Sequence, residues 1–134
     1  MPDADVTVFI VDDDPSVRKG LTRLIRTAGW KVEAFASGRE FLERLPFSGR
    51  GCLILDVTMP DITGLELRDQ MVAENSSLSI IFLTGGNDPT LRARAARDFS
   101  HEFVDYLTKP VDARTLLNAV QTASQRSARG QSRD

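Results

Sequence analysis

The 134-residue chain contains one cysteine, Cys52, and one histidine, His101. A lone cysteine cannot close an internal disulfide, which excludes a disulfide scaffold and fits a reducing compartment. With so few nitrogen and sulfur ligands a zinc cluster is excluded too. No apolar run approaches the roughly 20 residues of a membrane-spanning helix. Met1 to Asp5 carries two acids and no apolar core, unlike a signal peptide. Charge of one sign is not in excess: 17 basic against 19 acidic side chains leave a net −2, so nucleic-acid binding by the whole domain is not expected. No internal repeat is visible. What is present, 41% hydrophobic residues in a chain of this length, fits one domain with a real core and excludes wholesale disorder. The expectation is a small soluble intracellular domain.

Short apolar runs alternate with helical patterns. Val6 to Val11 is nearly unbroken and β-branched, as in a strand covered on both faces. Asp14 can cap a helix whose first residue is Pro15. Val17, Leu21, Leu24, Ile25 and Ala28 form its apolar stripe, and Gly29 stops it. Lys31 to Phe35 reads as a second strand. Ser37 and Glu40 form a capping box for a helix through Leu45, ended by Pro46. Cys52 to Leu55 is a third strand, and Thr63 with Glu66 repeats the capping box. Ser79 to Leu83 is a fourth strand, stopped by Gly85 and Gly86. Asp88 and Pro89 suggest a cap for a fourth helix through Arg97. Phe103 to Leu107 is a fifth strand, and Asp112 opens a last helix bearing Leu116, Leu117 and Val120. Five βα units of this kind predict a parallel sheet with helices on both faces. From Ser124 onward the apolar period is lost, so residues 124–134 are expected to form a flexible basic tail.

In such sheets the site lies beyond the carboxyl ends of the strands. The first strand ends in Asp12, Asp13 and Asp14, the third in Asp56, the fourth in Thr84; Thr108, Lys109 and Pro110 follow the fifth. Clustered carboxylates repel unless a cation compensates. An oxygen-only set suits Mg²⁺, a hard ion that keeps several waters and offsets the charge of an incoming phosphoryl group. Lys109 supplies a second positive point and Thr84 a donor. Asp56, ending the central apolar run, is the best candidate for a carboxylate nucleophile forming an acyl phosphate. Singly, each residue has a plainer reading. An acid before a helix is often a cap, the reading favoured for Asp14, and a lone threonine or lysine is usually a turn residue. Recurrence at successive strand ends favours function for the set.

The segments FIVDDD (Phe9–Asp14), CLILDVTMPDITGLEL (Cys52–Leu67), IIFLTGG (Ile80–Gly86) and VDYLTKP (Val104–Pro110) resemble the receiver domain of two-component response regulators. The resemblance runs from about Val6 to Ala123 and is closest to regulators of the nitrogen-fixation and aromatic-degradation type. It implies a flavodoxin-like (βα)5 three-layer sandwich of strand order 2-1-3-4-5, with residues 1–123 as the receiver. It implies Asp56 as phospho-acceptor from a histidine kinase, Asp13 and Asp56 as direct Mg²⁺ ligands, Asp12 acting through a water, and the Thr58 carbonyl completing the set. Thr84 and Lys109 would hold the phosphoryl oxygens, before a cis peptide at Lys109–Pro110. Tyr106 would be the aromatic that rotates inward with Thr84. Such a domain is no enzyme beyond catalysing its own phosphorylation and dephosphorylation, and it is cytoplasmic.

The resemblance also implies partners. A kinase would meet the first helix around Arg18 and Arg23, and a homodimer formed on phosphorylation would use the fourth helix, fifth strand and fifth helix. Neither nucleic acid nor membrane is expected for this domain. The stretch Asp98 to Phe103 departs from the family in being longer and lacking glycine; Val111 replaces a common phenylalanine, and His101 reads as exposed. Two alternatives stand beside this reading. Asp12 and Asp14 resemble the nucleophile and acid/base of haloacid-dehalogenase-type phosphatases, but no late acidic pair or cap domain accompanies them. A phosphorylation-insensitive interaction module is the other, which the intact acidic rim opposes.

Overall fold

Val6–Val11 forms β1, and all six residues are buried, as its unbroken apolar pattern predicts. The structure is a computed structural model that describes residues 6–44, 50–56, 79–84, 104–108 and 111–132. Within these, β2 is Lys31–Phe35, β3 Arg50–Asp56, β4 Ser79–Thr84 and β5 Val104–Thr108. All pairings are parallel and the order is β2-β1-β3-β4-β5, the flavodoxin-like order that the resemblance implied. The expected helices around Thr63 and Asp88, the Asp98–Phe103 segment with His101, and the Lys109–Pro110 peptide lie outside the described residues.

Helix α1, Pro15–Thr27, starts where the local chemistry demands. Asp14 Oδ1 accepts from the backbone N–H of Ser16 at 2.9 Å and of Val17 at 3.4 Å, and Pro15 occupies the position where its missing N–H is harmless. The end is equally specified. Gly29, at φ 111°, donates to the Arg26 carbonyl while Trp30 donates to that of Ile25, the paired bonds of a Schellman turn. Helix α2, Gly38–Arg44, is opened by Ser37, whose hydroxyl accepts from Glu40 N–H at 3.2 Å. The C-terminal helix, Ala113–Ser132, is opened by Asp112, whose carboxylate accepts from Thr115 N–H. This helix continues past Ser124, where the sequence predicted a tail. Gln125, Arg126, Ala128, Arg129 and Gln131 are good helix formers with no proline among them, so local propensity carries the backbone on after the apolar stripe ends.

Alternation along the strands sorts the core into two faces. Val8, Ile10, Cys52, Ile54, Ile81 and Leu83 pack with Leu21 and Ile25 of α1 and with Leu116 and Val120 of the C-terminal helix. On the other face Phe9 meets Phe41 of α2, ring centroids 5.5 Å apart in an edge-to-face contact, with Phe35 completing the trio. Three layers result. Among the described residues no helix is long and apolar enough to cross a membrane.

Cys52 is fully buried, and that burial pushes its thiol from 9.0 up to about 12, a contact with the Ser124 hydroxyl acting the other way. Folding therefore raises the pKa of an acid, so its contribution is complete below about pH 9 and is lost as pH climbs toward about 12. In urea titrations, the stability advantage of wild type over Cys52→Ala should shrink by about 2 kcal/mol between pH 8 and 10.5. A gap independent of pH contradicts the assignment.

Candidate functional site

The site is created by strand register. Val11 of β1 is the partner of Leu55 of β3, so the next residues, Asp12 and Asp56, leave neighbouring strands at the same level. Asp56 is in turn opposite Leu83 of β4, one residue before Thr84, and Thr84 pairs with Thr108 of β5. The carboxyl ends of these four strands thus form one rim, with β1 and β3 supplying its acids.

One carboxylate oxygen from each of Asp12, Asp13 and Asp56 lies within 4.8 Å of the other two. Asp12 is 1% exposed and Asp56 6%, whereas Asp13 is exposed. Two buried carboxylates at that separation repel by about 3 kcal/mol at an effective dielectric constant near 20, so the arrangement calls for a cation. The hard oxygen donors of the three match Mg²⁺, which Asp12, Asp13 and Asp56 would hold with water filling the rest of its shell.

Asp12 is held firmly. Its N–H donates to the Phe35 carbonyl at 3.2 Å, and its Oδ1 accepts from Asp14 N–H at 2.9 Å. Its own carbonyl accepts from Arg18 Nη1 at 2.8 Å. Asp14 lies outside the acidic group; its carboxylate is committed to the cap of α1, as the plainer reading of that residue had it. That commitment also removes the acid/base residue from the phosphatase alternative.

The backbones of Thr84 and Tyr106 sit on β4 and β5 as predicted, but their side chains, and Thr58 and Lys109 altogether, lie outside the described residues. Sequence reasoning missed two features. Arg18, expected at the face that meets a kinase, donates to the Asp12 carbonyl, a contact between residues six apart that bridges the helix cap and that no helical periodicity signals. Gly20, in the middle of α1, opens an apolar groove; its signal was available, because an interior helix glycine is destabilising without a compensating reason.

The comparisons agree with this geometry. The family described as response regulator receiver domain matches residues 8–121. Nodulation protein W of Bradyrhizobium diazoefficiens is 40% identical over 119 residues, covering 89% of this chain and 51% of that protein. The transcriptional regulatory protein FixJ of Azorhizobium caulinodans is 34% identical over 128 residues, covering 96% and 59% respectively. The solved structure of the response regulator StyR superposes with TM-score 0.86 at 39% identity, covering 97% of this chain and 65% of that one. The chain thus spans a little over half the length of the curated relatives it matches.

The separate duties of the two neighbouring acids can be told apart. Asp14→Ala should cost about 1 kcal/mol of stability, the value of a helix cap, yet leave the divalent-ion affinity within about twofold. Asp13→Asn should do the reverse, weakening Mg²⁺ binding by about tenfold or more, since a charged oxygen ligand is worth at least about 1.4 kcal/mol. Calorimetric titration with Mg²⁺ and urea melts of both variants check the pair; equal effects on affinity would refute the division.

Proposed function

Because the chain belongs to the response regulator receiver domain family, a phospho-acceptor module of two-component signalling, we propose that Asp56 is the residue that takes the phosphoryl group from a histidine kinase. The observation that carries this is the register-set meeting of Asp12, Asp13 and Asp56 at the rim, with Asp56 at the tip of the central strand. The regulator is of the nitrogen-fixation and aromatic-degradation type.

Asp13 and Asp56 would hold Mg²⁺ directly, Asp12 through a water, and Thr58 by its carbonyl. When bound, the ion neutralises charge on the phosphoryl group. A carboxylate oxygen of Asp56 attacks the phosphorus of the phosphohistidine. The new P–O bond forms as the P–N bond breaks, and the pair of electrons from that bond stays with the departing imidazole nitrogen. Positioning does most of the catalysis in such transfers. Thr84 and Lys109 take the phosphoryl oxygens, and Tyr106 follows Thr84 inward. The phosphoryl group biases a two-state equilibrium through the contacts it makes in one state alone. The output is the face made by β5 with the C-terminal helix and the expected helix through Arg97, which would pair two copies. The acyl phosphate then hydrolyses without a phosphatase, and the domain does its work in the cytoplasm.

The donor's docking face is α1. Its 13 residues carry Arg18, Lys19, Arg23 and Arg26 and no acid, and these cations line one groove along the helix. Beside it, an apolar groove of about 460 Å³ runs between α1 and the start of the C-terminal helix, lined by Val17, Gly20, Leu21, Leu24, Val111 and Leu116 among others. A Cβ placed on Gly20 meets nothing within 4 Å, so no group among the described residues requires the glycine. Its use is to let a partner helix approach closely.

Three variants test the proposal. Asp56→Asn should abolish labelling by acetyl phosphate with Mg²⁺, and persistent labelling would reject Asp56 as acceptor. Gly20→Ala should raise stability by about 0.5–1 kcal/mol through helix propensity. Gly20→Leu should slow transfer from the kinase by about tenfold, one blocked contact being worth about 1.4 kcal/mol, with acetyl phosphate labelling unchanged. Equal transfer rates for wild type and Gly20→Leu would remove the groove from the docking face.

A further inference from the structure

Arg18 stands beside an acidic cluster without pairing to it. Its guanidinium lies six residues along the chain from Asp12, half-buried, and Nη1 donates to the Asp12 main-chain carbonyl at 2.8 Å. Guanidinium groups next to carboxylates ordinarily take them as bidentate partners. Arg44 does so here, gripping both oxygens of Glu33 at 2.7 and 3.0 Å. Among the described residues, no ion pair joins Arg18 to Asp12, Asp13 or Asp56. The base of the arginine is fixed as well, since Arg18 N–H donates to the Asp14 carbonyl at 2.9 Å and the Arg18 carbonyl accepts from Thr22 Oγ1 at 2.7 Å.

These contacts close a ring. Asp12 is pinned at its N–H by Phe35, at its carboxylate by Asp14 N–H, and at its carbonyl by Arg18. The carbonyl belongs to the Asp12–Asp13 peptide, so whatever holds it orients both acids contributed by β1.

We infer that Arg18 is a positioning residue of the divalent-ion site, holding the Asp12–Asp13 peptide so that both carboxylates meet Asp56 around one ion, while its own charge stays off their oxygens. This rests on the reading of the acidic rim as the metal site. It acts through Asp12 and Asp13 and touches neither the ion nor the phosphoryl group.

Charge and position make opposite demands here, which gives the inference a sign. If Arg18 acted only as a nearby cation, removing it would tighten Mg²⁺ binding, because like charges repel and half-exposed ones are only partly screened at physiological salt. If it positions the peptide, removing it loosens the site, and loss of an outer-shell partner weakens metal affinity by about tenfold or more. Lysine retains both the charge and a donor long enough to reach the carbonyl.

The experiment is Mg²⁺ titration calorimetry on the full chain at 0.15 M salt, the ionic strength at which screening is set by a Debye length of about 8 Å. It compares wild type, Arg18→Met, Arg18→Lys and Asp13→Asn. Amide shifts of Asp12 and Asp13 are recorded without metal. Arg18→Met should bind Mg²⁺ about tenfold more weakly and shift both amides, and Arg18→Lys should recover most of the affinity. Equal or tighter binding by Arg18→Met, with wild type still binding and Asp13→Asn impaired, would overturn the role of Arg18 and leave the metal site standing. Wild type that binds no Mg²⁺, or Asp13→Asn that binds like wild type, would overturn the site and the inference together. Should Arg18→Met fail to fold, Arg18→Gln takes its place: weaker Mg²⁺ binding with both amides shifted supports positioning, and equal or tighter binding overturns it.

Discussion

The pairing of Val11 with Leu55 governs everything that follows at the rim. Parallel neighbours lie about 4.8 Å apart, so a register in which β1 and β3 end together forces the carboxylates of Asp12 and Asp56 into proximity. A slip of one residue would send the side chains of one strand to the opposite face and dissolve the site. Such a slip is prevented by the core itself. Val8, Ile10, Cys52 and Ile54 are packed against α1 and the C-terminal helix, and Phe9 is packed against Phe41 on the other side. The apolar interior thus carries the electrostatic load of holding acids together that would otherwise separate.

The distribution of charge follows from this constraint. Anions are gathered at the strand tips, and α1 presents four cations along its length with no acid between them. Asp14 joins the two regions: its side chain starts the helix, and its N–H holds the Asp12 carboxylate. Arg18 joins them from the other end, by reaching back to the Asp12 carbonyl. A donor that meets the cationic face of α1 is therefore brought to a helix already bonded to the acidic rim. The proposed phosphate chemistry and the proposed docking surface share a short stretch of chain, from Asp12 to Arg18.

The fold was readable in the sequence because its signals are local. Unbroken apolar runs marked buried strands, Asp14 with Pro15 marked the start of α1, and Gly29 marked its end at a positive φ. Strand bounds moved by a residue or two, as with β3, which begins at Arg50 instead of Cys52. The C-terminal helix overran the end of its apolar stripe because helix propensity persists where packing no longer informs the pattern. At the site, Asp12, Asp13 and Asp56 were readable from their places at strand ends. Which of the first two is buried was not, since that depends on where the chain turns from strand into cap. The bond from Arg18 to Asp12 is a product of tertiary placement that no spacing rule in one sequence contains, whereas the open space over Gly20 had a signal in the interior helix glycine itself.

The central claim is that the tips of two separate strands share a single ion. Calorimetric titration of wild type, Asp13→Asn and Asp56→Asn with Mg²⁺ tests it most directly. The account predicts one equivalent bound by wild type and an affinity lower by about tenfold or more in each variant. An Asp56→Asn variant that binds the ion as wild type does would contradict it.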